Sequence, residues 1–366
     1  MKLSIHTTIL AAGFAAAFFS ASAFAQADKV LKIGTDKPIS IEIIEETLTD
    51  IGYKQGPATS RMPWDQVARV DYGGSEANQF QKAEDQIAKG EAAAAIALLE
   101  PMKPSREIFV PRRLYLLGRA QDAQSKFKEA EDKYNELVSK FEKSVYTKRA
   151  IRSLAEVQIK NKNFAGAQAT ADKGISIANN VKSPAVALEF RFLKASILEA
   201  QDKLPEAEAE YKAVAGSSEA GRSGKLAECG VARIIAKKGD VDRVKAATDP
   251  ILKSNDPTLL AAAYTAMGDA LLTKGITEPN AERIRDAAVE NYLRVIVQCP
   301  PSGADSQEDL ERSMLGYAKA CKKLAELDAK KKDEAEFWKK EVQQYVREFA
   351  ERFPNSRYLK QVQELK

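Results

Sequence analysis

The chain has 366 residues, 44% hydrophobic and 30% charged, with a formal net charge of +4 and a mean hydropathy of -0.37. Those values suit a soluble protein with ample material for a core, and so even a charge balance gives no reason to expect a nucleic-acid or anionic-membrane partner. The one histidine, His6, sits at the extreme N-terminus, and a chain lacking histidine has no Ser-His-Asp or Cys-His mechanism and no imidazole for a transition metal.

Ile9 to Ala25 is the only long apolar run. Lys2 precedes it and Ala23-Phe24-Ala25 closes it, the order of a secretory signal peptide, so residues 1–25 read as a leader cleaved after Ala25. The run is shorter than the ~20 residues a spanning helix needs. Cleavage removes His6 and Lys2, leaves a charge of +3, and exposes no cysteine for a lipid anchor. The expected location is therefore periplasmic or secreted, with no membrane span after cleavage.

Residues 28–73 alternate in strand fashion: Val30, Leu31 and Ile33, then Ile39, Ile41 and Ile43, then Ile51 and Tyr53, Met62, and finally Val67, Val70 and Tyr72. Gly34, Pro38, Gly52, Gly56-Pro57 and Pro63 separate the runs. About five short strands are expected, curled into a small antiparallel barrel or sheet. Their order resembles the small SH3-like and Sm-like barrels. Nucleic-acid binding by such a barrel would call for a basic face, yet residues 28–72 hold six Lys or Arg against eight Asp or Glu. A docking or capping module fits better.

From Glu76 to the end at 366 the period becomes helical, and one word recurs: Phe127, Ala130, Tyr134, then Phe164, Ala167, Ala171, then Leu204, Ala207, Tyr211. Ala95 and Leu99 precede it, and Val241, Val244 and Thr248 follow. The middle position recurs at 95, 130, 167, 207 and 244, spacings of 35, 37, 40 and 37 that mark stacked helical pairs. Gly90, Lys162-Asn163, Lys203 and Gly239 fall at turns inside pairs, and Pro104, Ser183-Pro184, Asp256-Pro257 and Pro300-Pro301 fall between them. Ala83, Gly118, Ala155, Ala195, Ala232 and Gly268 supply the small residue that lets two helices approach to about 8–10 Å.

This arrangement resembles the tetratricopeptide repeat (TPR), with Leu117-Gly118 the cleanest match. The resemblance implies a mainly α protein: a right-handed, TPR-like α-solenoid of about seven helical pairs, preceded by the small all-β barrel-like domain. Pairs would start near 76, 112, 147, 185, 223, 258 and 305, with 356–366 as a capping turn. The spacing exceeds the usual repeat, the tryptophan that often opens the first helix is missing, and Thr277 to Asp286 is inserted in the sixth pair. The ending Tyr345 to Ser356 is similar to helix endings in exported bacterial TPR proteins of the cell envelope.

The same resemblance implies that first helices line a concave groove, here through Arg112, Tyr115, Arg119, Arg149, Arg152, Phe192 and Arg233. Guanidinium forks bind carboxylates and rings add anchoring area, so an acidic peptide or another protein is the partner these residues suit. Solvation, or pairing with glutamates such as Glu156 and Glu189, is the other reading of the arginines. Chemistry elsewhere is thin. Gly216 to Ser223 is one residue from a phosphate loop, with Arg222 in the lysine position, but it joins helices where such a loop must follow a strand. Glu45-Glu46, Asp333-Glu334 and Lys330-Lys331-Lys332 read as solvated faces. Cys229, Cys299 and Cys321 read as core residues, with a Cys299–Cys321 bond as the sharper alternative. The expected function is a non-enzymatic interaction scaffold without metal or cofactor. The alternative is a carbohydrate-binding or enzyme-associated factor that recognises its ligand through Trp64 and Tyr72.

Overall fold

The computed structural model describes residues 27–301 and 304–366, so the expected leader and His6 lie outside the described residues. Five strands come first: β1 (Asp28–Lys32), β2 (Ile39–Glu46), β3 (Asp50–Gln55), β4 (Ala58–Pro63) and β5 (Val67–Asp71). Val30, Ile41, Ile43, Ile51 and Met62 form the sheet's core, as the alternation requires. All ladders are antiparallel, in the order β4-β3-β2-β1-β5.

The sheet is open and not a barrel. β2 bends between two partners, pairing through Ile39, Ser40 and Ile41 with β1 and through its second half with β3. Closure would join β4 to β5, but a single 3₁₀ turn, Trp64–Gln66, links those two and they remain the edges. Gly52 does not interrupt a strand. It lies inside β3 beside a register shift in β2, where an added Cβ would come within 3.2 Å of the Glu45 Cβ, a close backbone approach of the kind that favours glycine in strands.

Helices follow in packed neighbours joined by short turns: α1 (Gly74–Ala88) and α2 (Ala92–Leu99), α3 (Phe109–Ala123) and α4 (Phe127–Lys140), α5 (Val145–Lys160) and α6 (Phe164–Asn180). Next are α7 (Pro184–Ala200) and α8 (Leu204–Ala215), α9 (Gly221–Ala236) and α10 (Val241–Thr248), then α11 (Pro257–Thr277). Its partner runs through α12 (Ala281–Arg285), a π-helical segment Asp286–Tyr292 and α13 (Leu293–Gln298). The residues inserted around Thr277 to Asp286 are thus absorbed largely into helix. α14 (Ala304–Leu327), α15 (Lys332–Arg352) and a short α16 (Leu359–Gln363) complete the chain.

One turn geometry repeats inside the hairpins. Gly90, Ser125, Lys162 and Asp202 each adopt a left-handed φ, between 59° and 80°. The N–H of the following residue then reaches the carbonyl five positions back, as Lys126 to Gln121 at 2.9 Å and Asn163 to Gln158 at 2.7 Å. This closure satisfies carbonyls that a helix end leaves orphaned and reverses the chain within three residues.

The recurring small positions are where the helices touch. Ala95, Ala130, Ala167, Ala207 and Val244 are wholly buried, as are Ala83, Ala155, Ala195 and Ala232. Tyr134, Tyr211 and Tyr292, all wholly buried, lie flat on glycines of neighbouring helices: a Cβ at Gly118 would be 2.5 Å from the Tyr134 ring, at Gly230 2.7 Å from Tyr211, and at Gly268 2.7 Å from Tyr292. Odd-numbered helices α3, α5, α7, α9 and α11 also pack each against the next, and α11 against α14, whereas the even-numbered helices pack mainly on odd ones. The odd helices therefore form the inner layer of a curved stack.

Candidate interaction surface

The inner layer begins with a chain of aromatic rings. Tyr115 on α3 packs on Tyr134 at 6.2 Å and on Tyr146 of α5 at 5.9 Å between centroids. Arg119, one turn after Tyr115, holds its guanidinium 5.9 Å from that ring, and Arg149, one turn after Tyr146, lies 5.2 Å from its own. Both arginines are exposed, and among the described residues no carboxylate stands at salt-bridge distance from either. The i, i+3 and i, i+4 spacings of a helix put each cation over the preceding ring. Arg152, half-buried on α5, stands near Glu156, whose carboxyl is raised by burial against the pull of Arg152 and Lys160. Glu189 is taken by Lys148 at 3.0 Å rather than by an arginine.

Arg112 belongs to a different environment. It is 6% exposed, stacked on Tyr72 and Phe80, with Nη2 donating to Glu84 at 3.0 Å. Tyr72 donates a short hydrogen bond to Glu46, and burial raises the Glu46 carboxyl above its ordinary range. These groups sit where sheet meets helices. The junction is clamped by Asp28, which accepts two bonds from Arg106, and one each from the backbone N–H of Ile43 and Gly73 at 2.9 Å. Leu48 N–H adds a bond to the Lys143 carbonyl at 2.8 Å. Trp64, half-buried, donates from Nε1 to the Thr47 carbonyl at 2.8 Å, and the Tyr72 ring stacks edge-on against Phe109. Both rings proposed for a sugar platform thus serve this junction.

Phe192 and Arg233 lie further along the stack, both packed on Tyr211, at 5.5 and 5.9 Å. Arg233 is 7% exposed and donates to Glu199 at 3.1 Å and to the Tyr211 hydroxyl at 3.3 Å. Glu199, itself buried, also accepts from Arg312 of α14 at 3.2 Å, and Arg312 bonds Glu308 at 2.9 Å. Arg357 and Tyr358, beyond α15, complete the cluster on Glu308. Burial disfavours ionised Glu199, yet Arg233 and Arg312 hold its carboxyl well below the usual carboxylate range. Arg233 is therefore spent on the protein's own carboxylates.

The structure so divides the seven residues that the sequence singled out. Tyr115, Arg119 and Arg149 come together around Tyr146, Arg152 stands a turn beyond, Arg112 turns into the sheet junction, and Phe192 and Arg233 join a buried ion network. Sequence reading missed Tyr146, Glu199, Arg312 and Arg357. Tyr146 carried a signal, a ring one turn before Arg149, whereas the network joins residues 113 positions apart and has no local pattern.

Other sequence features find structural roles. Gly216 to Ser223 spans the end of α8, a 3₁₀ turn and the start of α9, and Arg222 is engaged by Asp256 at 2.6 Å. Glu45 pairs with Arg61 at 2.8 Å. Cys229, Cys299 and Cys321 are free and buried, in separate core clusters. No helix among the described residues is long and apolar enough to cross a membrane.

No family model and no curated protein matches the chain. Among solved structures it is similar to a tetratricopeptide repeat protein from Parabacteroides merdae ATCC 43184, at 15% identity over 79% of this chain and 96% of that one, with a TM-score of 0.47. It is also similar to a Rap protein complexed with Competence and Sporulation Factor, at 14% identity over 75% of this chain and 98% of that one, with a TM-score of 0.34.

Proposed function

We propose that the chain is an exported, non-enzymatic interaction scaffold: a right-handed, TPR-like solenoid of seven helical pairs that holds an acidic peptide or a protein partner on its inner layer. The observation that carries this reading is the continuous Arg119–Tyr115–Tyr146–Arg149 row, in which two exposed guanidinium groups are held over linked rings on successive helices. Stacking fixes each fork without consuming its N–H donors, so less side-chain freedom is lost when a carboxylate arrives. The N-terminal segment Ile9 to Ala25 supports export.

Pull-down from envelope extract with the mature chain and with an Arg119→Glu, Arg152→Glu variant tests the reading. Partners captured by the native chain and lost with the variant are expected. Equal capture by both removes the inner-layer site, and N-terminal sequencing of the secreted or periplasmic product should begin at Gln26.

A further inference from the structure

The sheet–helix junction contains a feature that the scaffold reading does not use. A cleft of about 460 Å³ opens between the whole of β5 and the helices α1, α3 and α5. One wall is the outer edge of β5, the last strand of its sheet, which has a ladder only on the β1 side. At the floor lie Glu46 and Arg112, 7% and 6% exposed, and each has one atom, Oε2 and Nη1, without a hydrogen-bond partner among the described residues. Unsatisfied buried polar atoms are rare and costly, and an acceptor and a donor lining one cleft are what a peptide group can satisfy.

We propose that this cleft binds an extended peptide that adds a strand to the free edge of β5 and sets an acidic side chain against Arg149. Edge strands offer a row of unpaired N–H and C=O groups, and addition to such an edge is a general mode of peptide capture in which alternate side chains read the flanking wall. Five residues of β5 offer roughly 17 Å of edge, enough for four or five residues of ligand. Charge selects the acidic residue: Arg69 is matched by Asp71 at 3.0 Å and Arg112 by Glu84 at 3.0 Å, and the buried Glu46 carboxyl is held by Tyr72 and not within salt-bridge distance of Arg149, which leaves Arg149 as the exposed cation of the lining, held over the Tyr146 ring. The cleft shares Arg149 and Tyr146 with the row described above, and the proposal rests on that reading only through Arg149. Arg119 does not line the cleft, so the two can fail separately.

The test selects a phage-displayed library of random seven-residue peptides on the full mature chain, then compares native, Arg149→Glu and Arg119→Glu proteins by anisotropy and by amide exchange. Enriched peptides should carry one acidic residue among alternating apolar ones and protect Val67 to Asp71 from exchange. They should bind Arg149→Glu roughly tenfold or more weakly and Arg119→Glu within about twofold. Absence of enrichment, equal binding to Arg149→Glu, or protection outside β5 overturns the proposal. Sensitivity to Arg119→Glu without protection of β5 overturns it while leaving the inner-layer reading intact.

Discussion

Asn355 and Ser125 are 230 positions apart and share a hydrogen bond: the Ser125 hydroxyl donates to Asn355 Oδ1 at 2.7 Å. Asn355 Nδ2 in turn donates to the carbonyls of Ala123 at 3.1 Å and Asp122 at 3.3 Å, at the C-terminal end of α3. The turn after α15 thus caps a helix near the other end of the stack. Ser356 extends the clasp to Glu311 at 2.7 Å, and Arg357 to Glu308. A curved stack whose ends are tied has a fixed curvature, which one hydrogen-bonded residue helps to set.

Replacing Asn355 by alanine removes three partly exposed bonds, so global stability should fall by only about 1–2 kcal/mol. Curvature should respond more. Amide exchange at 120–126 is expected to accelerate, and the radius of gyration from solution scattering is expected to rise. An unchanged scattering curve together with unchanged exchange would show that helix packing alone sets the curvature.

Gly118 is expected to be the least replaceable small residue of the first hairpins. Its added Cβ would meet the wholly buried Tyr134 ring at 2.5 Å, far inside van der Waals contact, and neither helix can withdraw without breaking its turn. Gly118→Ala should therefore cost about 1–3 kcal/mol of unfolding free energy in urea, despite alanine's better helix propensity. Trimming the ring in a Gly118→Ala, Tyr134→Leu protein should recover part of that loss relative to the sum of the singles. Strict additivity would mean that the two residues do not press on each other.

That contact also shows why the helical part was legible in the sequence and the sheet less so. A small residue beneath a ring recurs along the stack, and the turns of the first four hairpins share one left-handed conformation, so the pattern is local and periodic. Five strands were readable from alternation, but closure was not, because it depends on whether β4 and β5 pair across the sheet, and they remain its two edges although only Trp64–Gln66 separates them in sequence. The arginines singled out lie on odd-numbered helices, yet Arg119 and Arg233 differ in their neighbours: exposed over a ring in one case, enclosed by Glu199 in the other. Only the curvature that brings α14 to α7 decides between those fates.

The same curvature buries Asp309 of α14 at 6% exposure among Arg233 of α9, Glu199 of α7, and Glu308 and Arg312 of its own helix. Burial pushes its carboxyl up to about 7, with Glu308 and Glu199 adding to the rise and Arg233 and Arg312 opposing it. An unfolded aspartate ionises near 3.9, so folding holds a proton on Asp309 across the interval between the two values. The stabilisation from neutral Asp309 is complete below the unfolded value and is lost as pH rises through about 7. Glu199, held low, works in the other sense, contributing stability above the usual glutamate range that is lost on acidification. Between pH 5 and 8 Asp309 alone should contribute a fall in native stability of roughly 2–3 kcal/mol. Asp309→Asn keeps the shape and removes the titration. Its urea midpoint should exceed that of the native chain by a margin that grows from pH 5 to pH 8 and closes only below about pH 4; parallel profiles for the two proteins would place the proton elsewhere in the network.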